Sequence, residues 1–310
     1  MKTSYKQQPS CRQLLIGSLS ALLSGCCALD NAFGEEQIFG TELFGYSISN
    51  NQAIIRAAMP DARHVVIPSE IDQIPVRYVG DEAYAGYYTM RELVIPDFIE
   101  SIGNMAFSHC VSLTNAYIGT NVSRIGYAPF YYCTNLQAVA VSESNAFIRS
   151  DSGVLFDKPQ TTLLQYPGGR PGHYVIPYSV TNIAESAFAA SSQLSGVTLS
   201  SNVIAIGAGV FARCVSLTHV TVPDGVPSLV EETFYECTSL ESITIGEGVS
   251  SIGDYCFENC TSLTGVYFRG DAPALGTNVF LDATPTVYYL EGASGFSETF
   301  GGRPTGVWVP

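Results

Sequence analysis

Basic residues are scarce in this chain, and lysine is almost absent. Lys2, Lys6 and Arg12 lie near the N-terminus, and beyond them Lys158 is the only lysine. Without those first three residues, 11 basic residues (14 minus 3) stand against 28 acidic ones. Such a surface lacks the positive charge that neutralises phosphates, so the composition excludes nucleic-acid binding and attachment to an anionic bilayer through protein charge.

The chain also lacks the short motifs that mark common catalytic and metal sites. It contains no H-E-x-x-H, no G-x-S-x-G, no glycine-rich phosphate loop, no EF-hand loop and no C-x-x-C pair. The four histidines, His64, His109, His173 and His219, stand in different contexts and show no common repeat. We therefore predict no enzyme activity, no cofactor and no metal.

The apolar run at the N-terminus is too short to span a bilayer comfortably. Residues 14–23 follow a basic start and lead into Leu23-Ser24-Gly25-Cys26. This arrangement resembles a bacterial lipoprotein signal with its lipobox, which implies that residues 1–25 are removed and that Cys26 carries lipid. The alternative is an ordinary secretory leader that is cut nearby and gives a secreted protein. Both interpretations predict export.

One pattern returns along most of the chain with a period of about 23 residues, a length typical of repeat architectures. Gly80, Gly103 and Gly126 follow one another at this interval, and Gly207 and Gly253 are two intervals apart with Val230 midway. We count positions in each copy from this glycine. An aromatic residue stands at +4 in every copy: Tyr84, Phe107, Phe130, Phe188, Phe211, Phe234 and Phe257. A fixed period of this length predicts a solenoid in which each coil packs on its neighbours.

Within a copy, the spacing of apolar residues changes from helix-like to strand-like. Ala106, Phe107 and Cys110 stand at +3, +4 and +7, the spacing of one helix face, whereas Ala116 and Ile118 alternate at +13 and +15. The predicted fold class is therefore a repeat solenoid with short parallel β-strands and a short helical or 3-10 segment in every coil.

The register of the repeats divides the chain into segments. One segment, at residues 143–178, is a predicted β-hairpin insertion that could either bulge from the solenoid or stack as an oversized coil. The predicted segments are 1–25, the signal; 26–78, a linker and N-terminal capping hairpin; 79–142, three repeats; 143–178, a β-hairpin insertion; 179–270, four repeats; and 271–310, a degenerate repeat and C-terminal cap.

The copies share the core I-G-x-x-A-F-x-x-C-x-x-L-x-x-V-x-I, which the copy at 102–118 matches closely. This core resembles the BspA-like branch of the leucine-rich repeats, and the resemblance covers about residues 45–310. It implies a leucine-rich-repeat solenoid and a cell-surface role in adhesion or protein binding. It transfers no catalytic residue, because the family motif contains none.

Six cysteines lie within the repeats. Five of them share +7, where a small apolar side chain fits beside the aromatic residue, and Cys256 stands at +3. We predict buried free thiols stacked as a ladder. Disulfides between neighbouring coils are the alternative, although parallel side chains rarely present the crossed geometry that a bridge needs. The five cysteines at +7 are Cys110, Cys133, Cys214, Cys237 and Cys260.

The residues at +12 and +14 should point outward, because those at +13 and +15 point to the core. Tyr117, His219 and Tyr267 are the candidate anchors of a partner on this exposed sheet. Asn115, Thr198, Thr221 and Thr244 complete the candidate set. The alternative is that threonine and tyrosine occur there only because they favour strands.

Together these features predict an exported, lipid-anchored and monomeric surface protein that binds a protein or other macromolecule and catalyses nothing. Two other functions stay open: a structural envelope spacer without a defined ligand, and a solenoid carbohydrate-active enzyme. An enzyme would show paired carboxylates at one place on the solenoid.

Overall fold

The computed structural model describes residues 39–40, 44–58 and 62–309. These residues form 27 β-strands. The described part of the chain contains no helix, and accordingly no helix able to cross a membrane. The leader and Cys26 lie outside the described residues.

Each coil contributes one longer strand to a parallel array along the solenoid, and this array is divided between three hydrogen-bonded sheets. Leu93, Ala116 and Val139, one from each of three successive coils, pair in register. These longer strands are β4 (His64–Val66), β7 (Glu92–Ile95), β9 (Asn115–Ile118), β11 (Ala138–Val141), β15 (Gly172–Val175), β17 (Leu194–Thr198), β19 (His219–Thr221), β21 (Ser242–Ile245), β23 (Gly265–Phe268), β25 (Thr286–Leu290) and β27 (Arg303–Trp308).

A second array of mostly two-residue strands runs along another side of the coils, just before the glycine of each copy. Ile102 and Ile125, for example, pair in parallel. The strands of this array are β6 (Ile74–Val79), β8 (Ser101–Ile102), β10 (Arg124–Ile125), β14 (Thr162–Gln165), β16 (Asn182–Ile183), β18 (Ala205–Ile206), β20 (Ser228–Leu229), β22 (Ser251–Ile252) and β24 (Ala274–Leu275).

The N-terminal end of the solenoid is closed by β1 (Phe39–Gly40), β2 (Phe44–Ser49), β3 (Gln52–Ala58) and β5 (Glu70–Ile71). Strands β2 and β3 form an antiparallel hairpin, and β3 then pairs in parallel with β6. Tyr46 and Ile55 from this hairpin are buried in the first part of the core. The hairpin therefore shields the first coil from water.

The segment between β11 and β16 stacks as an oversized coil. Its first two strands, β12 (Ile148–Asp151) and β13 (Val154–Asp157), form a hairpin, and β14 pairs antiparallel with β13. Strand β14 then joins β16 in parallel, and β15 joins β17. The core divides at this coil, because Leu155 packs with the N-terminal cluster and Phe156 with the C-terminal one.

The predicted helical segments are wrong: residues between the glycine and +10 form tight turns. In most copies the amide groups at +2, +4 and +6 bond to the next coil, and others, such as Ser108 to Met105 at 2.9 Å, close a turn three residues back rather than four. The amide nitrogens of Met105 and Phe107 donate to the carbonyl oxygens of Tyr127 and Pro129, at 3.0 and 2.9 Å. An α-helix needs those amide groups for its own bonds.

Two left-handed residues in each turn also exclude a helix. Met105 at +2 has a φ of 49° and His109 at +6 has a φ of 57°, whereas helical residues keep φ negative. The same two positions have positive φ in every copy: Glu82, Met105, Ala128, Ser186, Gly209, Glu232, Tyr255 and Asn278 at +2, and Gly86, His109, Tyr132, Ala190, Arg213, Glu236, Asn259 and Asp282 at +6.

The aromatic residues at +4 form columns in the core. The ring centroids of Phe211, Phe234, Phe257 and Phe280 are 5.4, 5.6 and 5.5 Å apart in succession, with interplanar angles of 13°, 7° and 7°. Burying one such phenylalanine contributes roughly 1.5–3 kcal/mol. Neighbouring coils thus stabilise one another through this column.

The short-strand array is interrupted once within the second block of repeats. Strands β14, β16 and β18 form one hydrogen-bonded set, and β20, β22 and β24 form another. The sequence supplies two reasons at this boundary. Pro227 has no amide hydrogen to donate, and Val230 places a side chain where most other coils have glycine.

The C-terminal end is covered by β25, β26 (Thr299–Phe300) and β27. Phe296 and Phe300 pack on Phe268, with ring centroids 5.4 and 5.7 Å away. Phe296 also stacks on Tyr289 at 4.7 Å. These rings shield the last coil of the core.

Candidate binding face

The outward side chains of the longer strands form one surface, which we name the outer face. All seven candidate residues lie on it. Tyr117 is 39% exposed, and none of the seven is buried. The others are Asn115, Thr198, His219, Thr221, Thr244 and Tyr267.

The structure brings some of these residues together and separates others. Thr221, Thr244 and Tyr267 are neighbours in register on β19, β21 and β23. Tyr117 lies on β9, in the four-stranded N-terminal sheet, whereas His219 begins the six-stranded C-terminal sheet. The predicted anchors therefore belong to two separate parts of the outer face.

Sequence reasoning missed two aromatic residues beside Tyr267. Tyr288 stacks on Tyr267 with centroids 4.8 Å apart and an interplanar angle of 9°. Trp308 meets Tyr267 edge-to-face at 5.3 Å, and its Nε1 donates to the carbonyl oxygen of Phe268 at 3.2 Å. We name Tyr267, Tyr288 and Trp308 the C-terminal aromatic cluster.

Glycine provides the space for this cluster. A Cβ on Gly265 would lie 2.6 Å from Cε2 and 2.8 Å from the hydroxyl oxygen of Tyr267. The Tyr267 ring therefore lies over Gly265, which precedes it on the same strand. Gly306 leaves room for Tyr288 in the same way, because a Cβ added to Gly306 would lie 3.4 Å from the Tyr288 ring.

Three histidines share +12 on the outer face, contrary to the expectation that the histidines have no common repeat. His64 Nδ1 lies 2.7 Å from an oxygen of Glu92. His173 contacts the Thr198 hydroxyl at 2.8 Å, and His219 lies 3.7 Å from Glu241. The sequence contained the signal, since each begins a segment H-x-[VT]-[IV]-P, at 64–68, 173–177 and 219–223.

The cysteines at +7 have a specific structural role. Each of the five donates a hydrogen bond to the carbonyl oxygen of the +4 residue one coil earlier. These pairs are Cys110 to Tyr84, Cys133 to Phe107, Cys214 to Phe188, Cys237 to Phe211 and Cys260 to Phe234, with sulfur–oxygen distances of 3.0 to 3.2 Å. The six cysteines of the described chain are buried and free.

We expect these six thiols to resist alkylation in the native protein. Burial raises the pKa of Cys214 and Cys260 to about 12, so little reactive thiolate forms at neutral pH. After denaturation all six should react with iodoacetamide, whether or not a reductant is present. Peptide mapping by mass spectrometry measures this, and labelling that depends on reductant would contradict the thiol ladder.

Among the residues that the structure describes, no three His, Cys, Asp or Glu side chains are placed to hold a metal ion. The parallel coils, their aromatic column and their thiol ladder define the class of protein as a leucine-rich-repeat solenoid with an exposed sheet. The family model of the BspA-type leucine-rich repeat region matches this sequence in six copies, at residues 62–154 and 172–285. The chain therefore belongs to the BspA-type leucine-rich repeat family.

Solved structures of bacterial leucine-rich-repeat proteins are similar to this chain. The pneumococcal vaccine antigen PcpA has a TM-score of 0.56 and 17% sequence identity, covering 82% of this chain and 87% of PcpA. A leucine-rich cell surface protein from Faecalibacterium prausnitzii has a TM-score of 0.41 and 19% identity, with coverage of 77% and 96%. A protein from Bacteroides ovatus has a TM-score of 0.47 and 17% identity, with coverage of 81% and 70%. No curated protein matches the chain.

Proposed function

We propose that this protein is exported, is anchored through lipid on Cys26, and binds a protein partner on its outer face without catalysis. The observation that carries the proposal is a row of uncharged outward residues at +14. In the N-terminal sheet the row is Val66, Val94, Tyr117 and Ala140, aligned strand by strand. The chain has a formal net charge of −14, so this row offers a partner a contact surface without the repulsion that acidic partners meet elsewhere.

The chemistry of this row suits a protein interface. Val66 is 61% exposed and Tyr117 39% exposed, and both project from a hydrogen-bonded sheet. A preorganised backbone reduces the ordering entropy that binding costs. Tyrosine is also enriched among the residues that dominate binding energies. Membership of a family of bacterial surface repeat proteins supports the same role and the proposed export.

The binding proposal is tested by replacing Tyr117 with alanine in the whole chain after the leader. We expect the affinity of this variant for its protein partner, measured by capture of surface proteins, to fall by about tenfold or more. Loss of an anchoring aromatic residue has an effect of this size. The melting temperature should stay unchanged, because the side chain lies on the outer face rather than in the core. Tyr127→Ala is the control, since Tyr127 is 47% exposed and lies outside the longer strands.

Equal capture by both variants would contradict the proposed face and favour an envelope spacer without a ligand.

The anchor is tested separately by metabolic labelling with palmitate. Label that is absent, or that persists in Cys26→Ala, would contradict lipidation at this residue.

A further inference from the structure

The C-terminal part of the outer face differs chemically from the N-terminal part. Strands β19, β21, β23 and β25 contain no aspartate, glutamate, lysine or arginine. The one such residue of β27, Arg303, donates to the carbonyl oxygen of Phe280. Glu241, Arg269 and Glu291 stand next to the strand ends rather than within the strands. An uncharged region of this size is unusual in so acidic a chain.

We infer that the C-terminal aromatic cluster and the hydroxyl residues beside it bind an uncharged polysaccharide. Tyr267, Tyr288 and Trp308 are all partly exposed, so the cluster offers aromatic surface to a ligand. Sugar rings carry C–H bonds with slight positive charge on their faces, and aromatic π-systems are negative on theirs. The two surfaces are therefore complementary without any ionic contact.

Hydroxyl groups stand in register next to the rings. Thr244 pairs with Tyr267 along the sheet, and Thr221 pairs with Thr244. Thr286 lies beside Gly265 on the neighbouring strand. Each hydroxyl both donates and accepts hydrogen bonds, as sugar hydroxyls require. Thr221 and Thr244 lie one strand spacing apart, about 4.8 Å, and continue the row of Tyr267 and Tyr288.

The charge of the molecule favours an uncharged sugar over an acidic one. Acidic residues outnumber basic ones by 28 to 14, and the two arginines nearest the cluster already have partners: Arg269 lies 3.1 Å from Asp224, and Arg303 donates to the carbonyl oxygen of Phe280. Like charges at an interface reject a ligand. A polysaccharide whose only polar groups are hydroxyls and amides meets no such repulsion at this surface.

The chain carries its own reporter, because Trp308 is its only tryptophan. We propose to titrate the whole chain after the leader with short oligosaccharides of glucose, mannose, galactose and N-acetylglucosamine while recording tryptophan emission. A saturable change with at least one sugar is expected. Tyr288→Ala should weaken this binding by roughly tenfold, whereas Tyr288→Phe should retain it because the ring remains.

Tyr178→Ala is the matched control, since Tyr178 is 71% exposed and lies outside the longer strands. An emission that no oligosaccharide changes would overturn the inference, and so would undiminished binding by Tyr288→Ala. A proline hexapeptide is the competing probe, because proline-rich segments also bind aromatic surfaces. A response to the peptide alone would assign the cluster to peptide binding and overturn the inference as well. None of these results depends on Tyr117, so the proposed protein-binding function stands or fails separately.

Discussion

Replacing Phe234 with alanine is expected to lower the free energy of unfolding by about 3 to 5 kcal/mol, the usual cost of deleting a buried phenylalanine. The side chain is fully buried and lies between Phe211 and Phe257 in the aromatic column. Its removal leaves a cavity, and both neighbouring coils lose contacts. Urea denaturation followed by circular dichroism measures the change.

The control for this variant is Phe147→Ala, because Phe147 is 52% exposed. Surface substitutions usually change stability by less than about 0.5 kcal/mol. If Phe234→Ala cost no more than this control, the column would not be what joins the coils.

Replacing Gly253 with valine is the second substitution with a large expected effect. A Cβ there would lie 2.6 Å from the amide nitrogen of Glu231 and 2.7 Å from the carbonyl carbon of Val230. Both contacts are with backbone of the preceding coil, so no side chain can rotate away. The bond from the Gly253 amide to the Leu229 carbonyl oxygen, 2.7 Å in the native chain, should be lost.

The expected destabilisation of Gly253→Val is about 2 to 4 kcal/mol, from overpacking and a lost hydrogen bond together. Val230 gives a natural comparison, because the short-strand array breaks where valine occupies this position. Gly225→Val is the control: a Cβ at Gly225 has its nearest neighbours at 3.5 Å. Thermal unfolding of both variants checks the prediction, and equal melting temperatures would contradict it.

The sequence predicted the coil and its core well, because these depend on a repeated pattern. The aromatic residue at +4 and the alternating pair at +13 and +15 are buried as expected, as Phe107, Ala116 and Ile118 show. The residues on either side of Ala116, Asn115 and Tyr117, point outward. Alternation along a strand fixes these directions without any knowledge of neighbouring coils.

The helical prediction failed because a spacing of three and four residues is not unique to helices. In this fold a turn with left-handed residues at +2 and +6, such as Met105 and His109, brings the same side chains to one face. Its amide groups at +2, +4 and +6 find their partners in the next coil, where Tyr131 accepts from His109. Whether such a segment forms a turn or a helix depends on tertiary contacts, which a local sequence pattern cannot show.

The aromatic cluster could not be predicted from the repeat, because only Tyr267 belongs to a regular copy. Tyr288 comes earlier in the chain than a full period after Tyr267 would place it, and Trp308 belongs to the last strand, outside the pattern. Their approach to Tyr267 results from the register of β25 and β27. The shared position of His64, His173 and His219 was hidden in a different way: His173 and His219 are two periods apart, but the longer first coil and the oversized coil shift His64 out of the 23-residue spacing.

The thiol ladder has a consequence for how this protein matures. Each +7 sulfur serves as a hydrogen-bond donor between coils, so the described fold depends on cysteine in its reduced form. A protein with this fold needs no disulfide-forming oxidase for its coils to form. It can acquire the same structure in anaerobic or reducing surroundings, where secreted proteins held together by disulfides lose theirs.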